Sequence, residues 1–171
     1  MTVQWRPYQL RPNTPLEGRP KEPLVVTATS NSRVHKRLAD FGKSVGINFT
    51  GKTDRYPNTL ACHVALDYAA AVGGSKAQDE LAELLFKANF TDGIFLSAAN
   101  IEKLAAKVPG LTQEGMRAAL ADKDLKSKVR AEAAHFARAG VSGVPFFIVN
   151  DKPAFSGAQP PDRIRAAFAK L

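Results

Sequence analysis

Cys62 is the single cysteine of the 171-residue sequence, and His35, His63 and His135 are its three histidines. These are the side-chain types that carry thiol, proton-transfer and soft-metal chemistry near neutral pH. One cysteine excludes an internal disulfide, a thiolate zinc cluster and a CxxC redox pair within this chain. Cys62 falls about one turn into a helix predicted to start near Asn58, so it reads as a small buried hydrophobe that packs, with a reactive or intermolecular thiol as the alternative. His63 falls on the flank of that helix's apolar stripe, either as a half-buried structural side chain or as a group turned toward a groove. His35 and His135 have no acidic or cysteine partner at ligand spacing and read as surface or packing residues. Asn58 reads as a helix cap rather than a ligand contact. No Gly-rich phosphate loop, GxSxG elbow or HExxH pair occurs.

The chain that must position these residues is 44% apolar and 23% charged, with 12 Gly and 11 Pro, the mix of one soluble domain. A chain of this length buries roughly two thirds of the surface its unfolded form exposes, so it needs no covalent staples. Its longest apolar stretches are broken within about ten positions, short of the roughly 20 residues that span a bilayer, and no membrane helix is expected. Met1-Thr2-Val3-Gln4-Trp5-Arg6 has no apolar block behind it, so no signal peptide is read and a cytoplasmic location is expected. The net charge of +8 and a pI near 9.8 raise a nucleic-acid reading. The pattern argues against it. The cations are spread along the chain without a run of four, and the aromatic-plus-basic spacing of RNA-binding sheets is absent. Lys123, Lys126 and Arg130 share one predicted helical face, which reads as solvated. No nucleic-acid and no membrane partner is expected.

Residues 2–9 read as a short strand from the alternation of Val3 and Trp5 with Gln4 and Arg6. Pro12, Pro15, Pro20 and Pro23 then make an extended connector. From about Asn31 the period turns helical: Val34, Leu38 and Phe41 recur on one face before Gly42 or Gly46. A helix over about 58–72 places Ala61, Val64, Tyr68 and Val72 on one stripe and ends at Gly73-Gly74. Ser75 and Gln78 have the spacing of a capping box opening the next helix, to about Asn89, with Ala77, Leu81, Leu84, Leu85 and Ala88 inward. Further helices are predicted at 98–107 behind a Ser97 cap, at 113–121, and at 123–139 ending on Gly140. The run Val144-Pro145-Phe146-Phe147-Ile148-Val149 reads as a buried strand, Asn150-Asp151-Lys152 as a tight turn, and Pro153-Ala154-Phe155-Ser156 as the second strand of a hairpin. A closing helix begins near Pro160-Pro161 with Ile164, Ala167, Phe168 and Leu171 inward.

Gly140 to Asn150, containing Gly143-Val144-Pro145-Phe146-Phe147, and then Ser156-Gly157-Ala158-Gln159 resemble the C-terminal part of DsbA-like oxidoreductases of the FrnE group, relatives of 2-hydroxychromene-2-carboxylate isomerase. Val3 to Leu10 is similar to that group's second strand, Pro57-Asn58-Thr59 with His63 to the start of its first long insertion helix, and Leu85-Phe86-Lys87-Ala88-Asn89-Phe90 to its LF-x-A-x-F segment. The resemblance covers essentially the whole chain. It implies an α/β, thioredoxin-like (DsbA-type) fold with a large all-helical insertion, divided into a partial thioredoxin-like subdomain at 1–28 and 141–171 and an insertion subdomain at 29–140. It also implies a cis peptide before Pro145 and a substrate groove where the Val144 backbone pairs with bound peptide or glutathione, with His63, Ala158 and Gln159 as further contacts. The turn at 156–159 is either a carboxylate-binding site or a plain hairpin-to-helix connection.

The departure from the family pattern is the strand that delivers a CxxC motif to the first helix. Thiol–disulfide exchange needs a thiolate to attack a disulfide sulfur and a second cysteine to resolve the mixed disulfide, and one cysteine inside a helix supplies neither. The chain is therefore expected to be inactive in thiol exchange by itself, with no catalytic residue and no metal. Its expected ligands are thiol- or disulfide-containing peptides or glutathione; a non-redox glutathione- or peptide-binding module nearer the isomerase branch is the alternative. The missing strand normally lies between the second and third. Each backbone group it orphans would cost about 1–3 kcal/mol against a domain stability of about 5–15 kcal/mol. Three remedies are expected in order: a natural start upstream of Met1, cover by a second chain such as a homodimer, or direct closure of the remaining strands into a three-stranded sheet.

Overall fold

The computed structural model describes residues 2–21 and 30–169, without the side chains of residues 30–35. Pro23, the Val34 and His35 side chains and Leu171 lie outside the described residues. The architecture is helix-dominant α/β. In chain order the elements are β1 (Arg19–Pro20), α1 (Ser30–Ser44), β2 (Arg55–Tyr56), α2 (Leu60–Phe86), α3 (Ala98–Ala105), α4 (Gln113–Ala121), α5 (Lys123–Arg138), β3 (Phe146–Val149), β4 (Lys152–Ser156) and α6 (Pro161–Phe168). A π-helical turn, Lys87–Asp92, extends α2 and stops at Gly93 in the left-handed region. Among the described residues no helix is long and apolar enough to cross a membrane.

The core belongs to α2 to α5. Val64, Leu81, Ile101, Met116 and Val129 are the largest fully buried side chains, and the buried core hydrophobics of the described residues run from Leu60 to Val141. Apolar residues at helical spacing on α2 face those of α3, α4 and α5, and removing them from water is the dominant favourable term in this block. The starts of α3, α4 and α5 each carry a side-chain cap. The Ser97 side chain accepts from Asn100 N, Thr112 from Gly115 N, and Asp122 from Asp124 N and Leu125 N. α2 is two helical stretches that meet at a kink at Gly74 (φ 68°, ψ −165°), a conformation essentially reserved to glycine, so the first stretch ends where the stop is read, at Gly73-Gly74.

Four expectations need correction. Residues 2–9 form no strand: among the described residues the sheets are β1 with β2 and β3 with β4, two strands each, without a three-stranded closure. Gln78 does not close a capping box with Ser75; it turns into the protein and bonds Trp5 and Leu66. The run 144–149 is not buried, because β3 has a neighbour on one side only, and Val144 and Ile148 stay 48% and 44% exposed. α6 turns Ile164, Ala167 and Phe168 inward only to half-burial, and it has no fully buried residue.

The hairpin keeps the predicted turn. Asn150 and Asp151 both have positive φ (48° and 61°), the two-residue geometry whose twist matches the flanking strands. Register runs Phe146 to Ser156 and Phe147 to Phe155, then shifts, and resumes with Ile148 to Pro153 and Val149 to Lys152. Phe147 and Phe155 stack at 4.3 Å.

Because stability is concentrated in the helical block, Ile101→Ala is expected to cost about 2–5 kcal/mol and Ile164→Ala on α6 less than about 1.5 kcal/mol. Urea unfolding followed by far-UV circular dichroism measures both. Equal losses would contradict the placement of the core.

Candidate functional site

The N-terminal segment lies along α2, and side chains of that helix do what a neighbouring strand would do. Gln78, 3% exposed, accepts from Trp5 N at 2.9 Å and donates to Trp5 O at 3.0 Å. Its carboxamide thus satisfies both backbone groups of one extended residue, as a strand partner does. His63 Nε2 donates to Tyr8 O at 3.0 Å, and the Tyr8 hydroxyl donates to Val141 O at 2.8 Å. Trp5 also donates from its indole to Asp79 at 2.9 Å and packs edge-on against Phe86. Between segment and helix lies a cavity of about 70 Å³ lined by Gln4, Trp5, Arg6, His63, Asp67 and Gln78 among others.

These contacts decide the chemistry of α2. Because a carbonyl only accepts, His63 carries its proton on Nε2; burial holds its pKa below the ordinary 6.5 against the opposing pull of the Tyr8 bond. Cys62, next in sequence, faces the core at 7% exposure, and burial pushes its thiol up to about 12. Neither residue is poised to act on a solvent-borne substrate. Among the described residues no group of three His, Cys, Asp or Glu side chains could hold a metal ion.

The residues at the hairpin end form a second locus. The Val144–Pro145 peptide is cis, and both residues are exposed. Gly157 N donates to Pro145 O at 2.7 Å, and Gln159 Nε2 donates back to Ser156 O at 3.0 Å, so Val144, Pro145, Ala158 and Gln159 lie around one end of the hairpin. Strand peptide groups point alternately to either side. Since Pro145 gives its carbonyl to Gly157 on the β4 side, the peptide groups of Phe146, the first residue of β3, point to the opposite, open edge. Among the described residues the Val144 peptide groups have no backbone partner. His63 is not brought to this locus by a direct contact; it belongs to the seam between segment and helix. Sequence reasoning missed Tyr8 and Gln78. The available signal was that Gln78 stands three residues before Leu81 and seven before Leu85, on the buried face of α2.

The family model for the DSBA-like thioredoxin domain matches residues 1–169. Among solved structures, a probable DsbA oxidoreductase from Streptomyces coelicolor superposes with a TM-score of 0.80 at 24% identity, over 97% of this chain and 75% of that one. A candidate protein disulfide isomerase from Nitrosomonas europaea superposes with a TM-score of 0.67 at 18% identity, over 90% of this chain and 78% of that one. No curated protein matches the sequence.

A histidine held neutral by burial makes stability pH-dependent. With the folded pKa depressed, stability is full above about the ordinary 6.5 and is lost as the pH falls below it, since the unfolded chain takes up the proton first. The lowered pKa values of the exposed Asp40 and Asp54 act only below 3.8, outside that window. His63→Gln, which keeps a donor for Tyr8 O, is expected to flatten the change in urea midpoint between pH 8 and pH 5. An unaltered profile in the variant would contradict the assignment.

Proposed function

The chain belongs to the family of DsbA-like thioredoxin domains, and on that premise we propose that it is the peptide- and thiol-docking part of a thiol–disulfide oxidoreductase of the FrnE group, without electron-transfer chemistry of its own. The observation that carries the reading is Cys62. The side chain is enclosed by the helical core, and burial pushes its thiol up to about 12, which keeps it protonated at neutral pH. Exchange requires an attacking thiolate and a second thiol to resolve the mixed disulfide, so a lone buried cysteine completes neither half-reaction.

What remains is the hairpin end. Val144 offers an N–H and a C=O that have no backbone partner among the described residues, beside an exposed Pro145, and an extended peptide can meet both groups without any side-chain recognition. A reading in which the same place holds glutathione without redox chemistry draws on the turn at 156–159, where the chain enters α6.

Turnover in an insulin-reduction assay is expected to equal the buffer control. Cys62 should react with an aromatic disulfide reagent only after unfolding in urea. Turnover abolished by Cys62→Ala would sink the proposal.

Docking through the Val144 backbone predicts that Val144→Pro, which deletes that N–H, weakens binding of a cystine-containing peptide about tenfold. Calorimetry with that peptide and with glutathione reads the effect; tighter binding of glutathione than of the peptide favours the second reading.

A further inference from the structure

Residues 11–19 form a loop that closes on one aromatic ring. Thr14 N donates to Arg11 O and Gly18 N to Pro15 O, two successive turns stiffened by Pro12 and Pro15. The β2 side fastens them. Asn58 Nδ2 donates to Thr14 O, and Arg55 donates from Nη1 to Glu17 O at 3.1 Å. The two ends of the loop meet at Tyr56: the Arg11 guanidinium lies over that ring at 4.8 Å, and Arg19 is its partner across the β1–β2 ladder. A loop held in this way is ordered before anything binds to it.

Cations gather at this ring. Lys21 brings its ammonium to 5.4 Å from the ring centre, so Arg11 and Lys21 stand no more than about 10 Å apart, close enough for repulsion to survive ordinary salt. Alternate residues of a strand share a face, which sets Arg19 beside Lys21. The nearby carboxylate is engaged elsewhere. Asp54 is held by Nε and Nη2 of Arg55, and its pull on Lys21 is outweighed by burial, which lowers the Lys21 pKa. Among the described residues neither Arg11 nor Arg19 has an ion-pair partner. The sequence over 11–29 and 52–56 holds five cations against three carboxylates, so the locus stays positive whichever pairs form. An anion brought to it relieves that repulsion.

The kind of anion follows from what accompanies the charges. Leu16, 82% exposed, stands in the same loop between Arg11 and Arg19. A nucleic acid would make little use of this arrangement: its binders neutralise about 6–10 phosphates and offer free aromatic faces to bases, whereas here the one ring is covered by Arg11 and Lys21. Arginine and tyrosine around an apolar residue make up the centres of protein interfaces. We propose that loop 11–19 with Lys21 is a docking surface for an acidic peptide segment of a partner protein, which sets carboxylates on Arg11, Arg19 and Lys21 and an apolar side chain on Leu16. The surface uses no residue of the hairpin and does not rest on the function proposed for Val144.

Fluorescence anisotropy of a short labelled peptide of glutamates around a central leucine, titrated with the full chain, tests this. Saturable binding is expected in about 50 mM salt, weakened about tenfold in about 300 mM. The double variant Arg11→Ala/Arg19→Ala should weaken it at least about tenfold and Leu16→Ser about threefold. Lys123→Ala/Arg130→Ala, which removes the same charge from α5, should change it less than about twofold. In the wild type, the amide resonances of Arg11, Leu16, Arg19 and Tyr56 should shift as the peptide is added, a reading that needs no variant to fold. Absence of binding at about 1 mM peptide in low salt overturns the proposal. So do equal losses in the two double variants, resonance shifts confined to other residues, and tighter binding of a single-stranded oligonucleotide of the same charge.

Discussion

The seam between residues 2–9 and α2 sets what the rest of this chain can do. Peptide groups withdrawn from water must be paired, and this extended segment has no strand beside it, so α2 provides the partners from its side chains. Gln78 serves Trp5, and His63 serves Tyr8, which in turn holds Val141 at the entrance to the hairpin. The helix that could have presented chemistry is thereby committed to structure. Its polar residues on one flank are engaged with the segment, and Cys62 is turned into the core.

From that commitment follows the division of the molecule. The helical block is closed over Val64, Leu81, Ile101, Met116 and Val129, with side-chain caps at the starts of α3, α4 and α5. The hairpin is tied to it through Val141 and Tyr8, with its apolar run half in water. The proposed function rests where the backbone is free, at Val144, rather than where the reactive side-chain types are. On the proposed reading, a DsbA-like domain whose single thiol is buried holds an extended chain but does not exchange its disulfides.

Much of this was legible in the residues. The period of three and four that marks α3, α4 and α5 comes from side chains packing on their own neighbours, and the Ser97 cap and the turn at Asn150-Asp151 are local chemistry that no distant residue overrides. The misread elements share one cause: a strand is defined by its partner. Trp5 and Tyr8 have strand propensity, but with nothing to pair with they form an extended strap, and the β-rich run at 144–149 reads as buried only if a neighbour is assumed. Gln78 was read from its spacing to Ser75, whereas its position relative to Leu81 and Leu85 governs where it points.

The claim on which the account turns is that the only cysteine of the chain is not a thiolate in the folded state. The ¹³Cβ chemical shift of Cys62, followed from about pH 6 to about pH 10 in the native protein, reports its ionisation directly. The account predicts a flat profile across that range, in keeping with a thiol raised to about 12. A titration step at or below the ordinary value of 9.0 would contradict it.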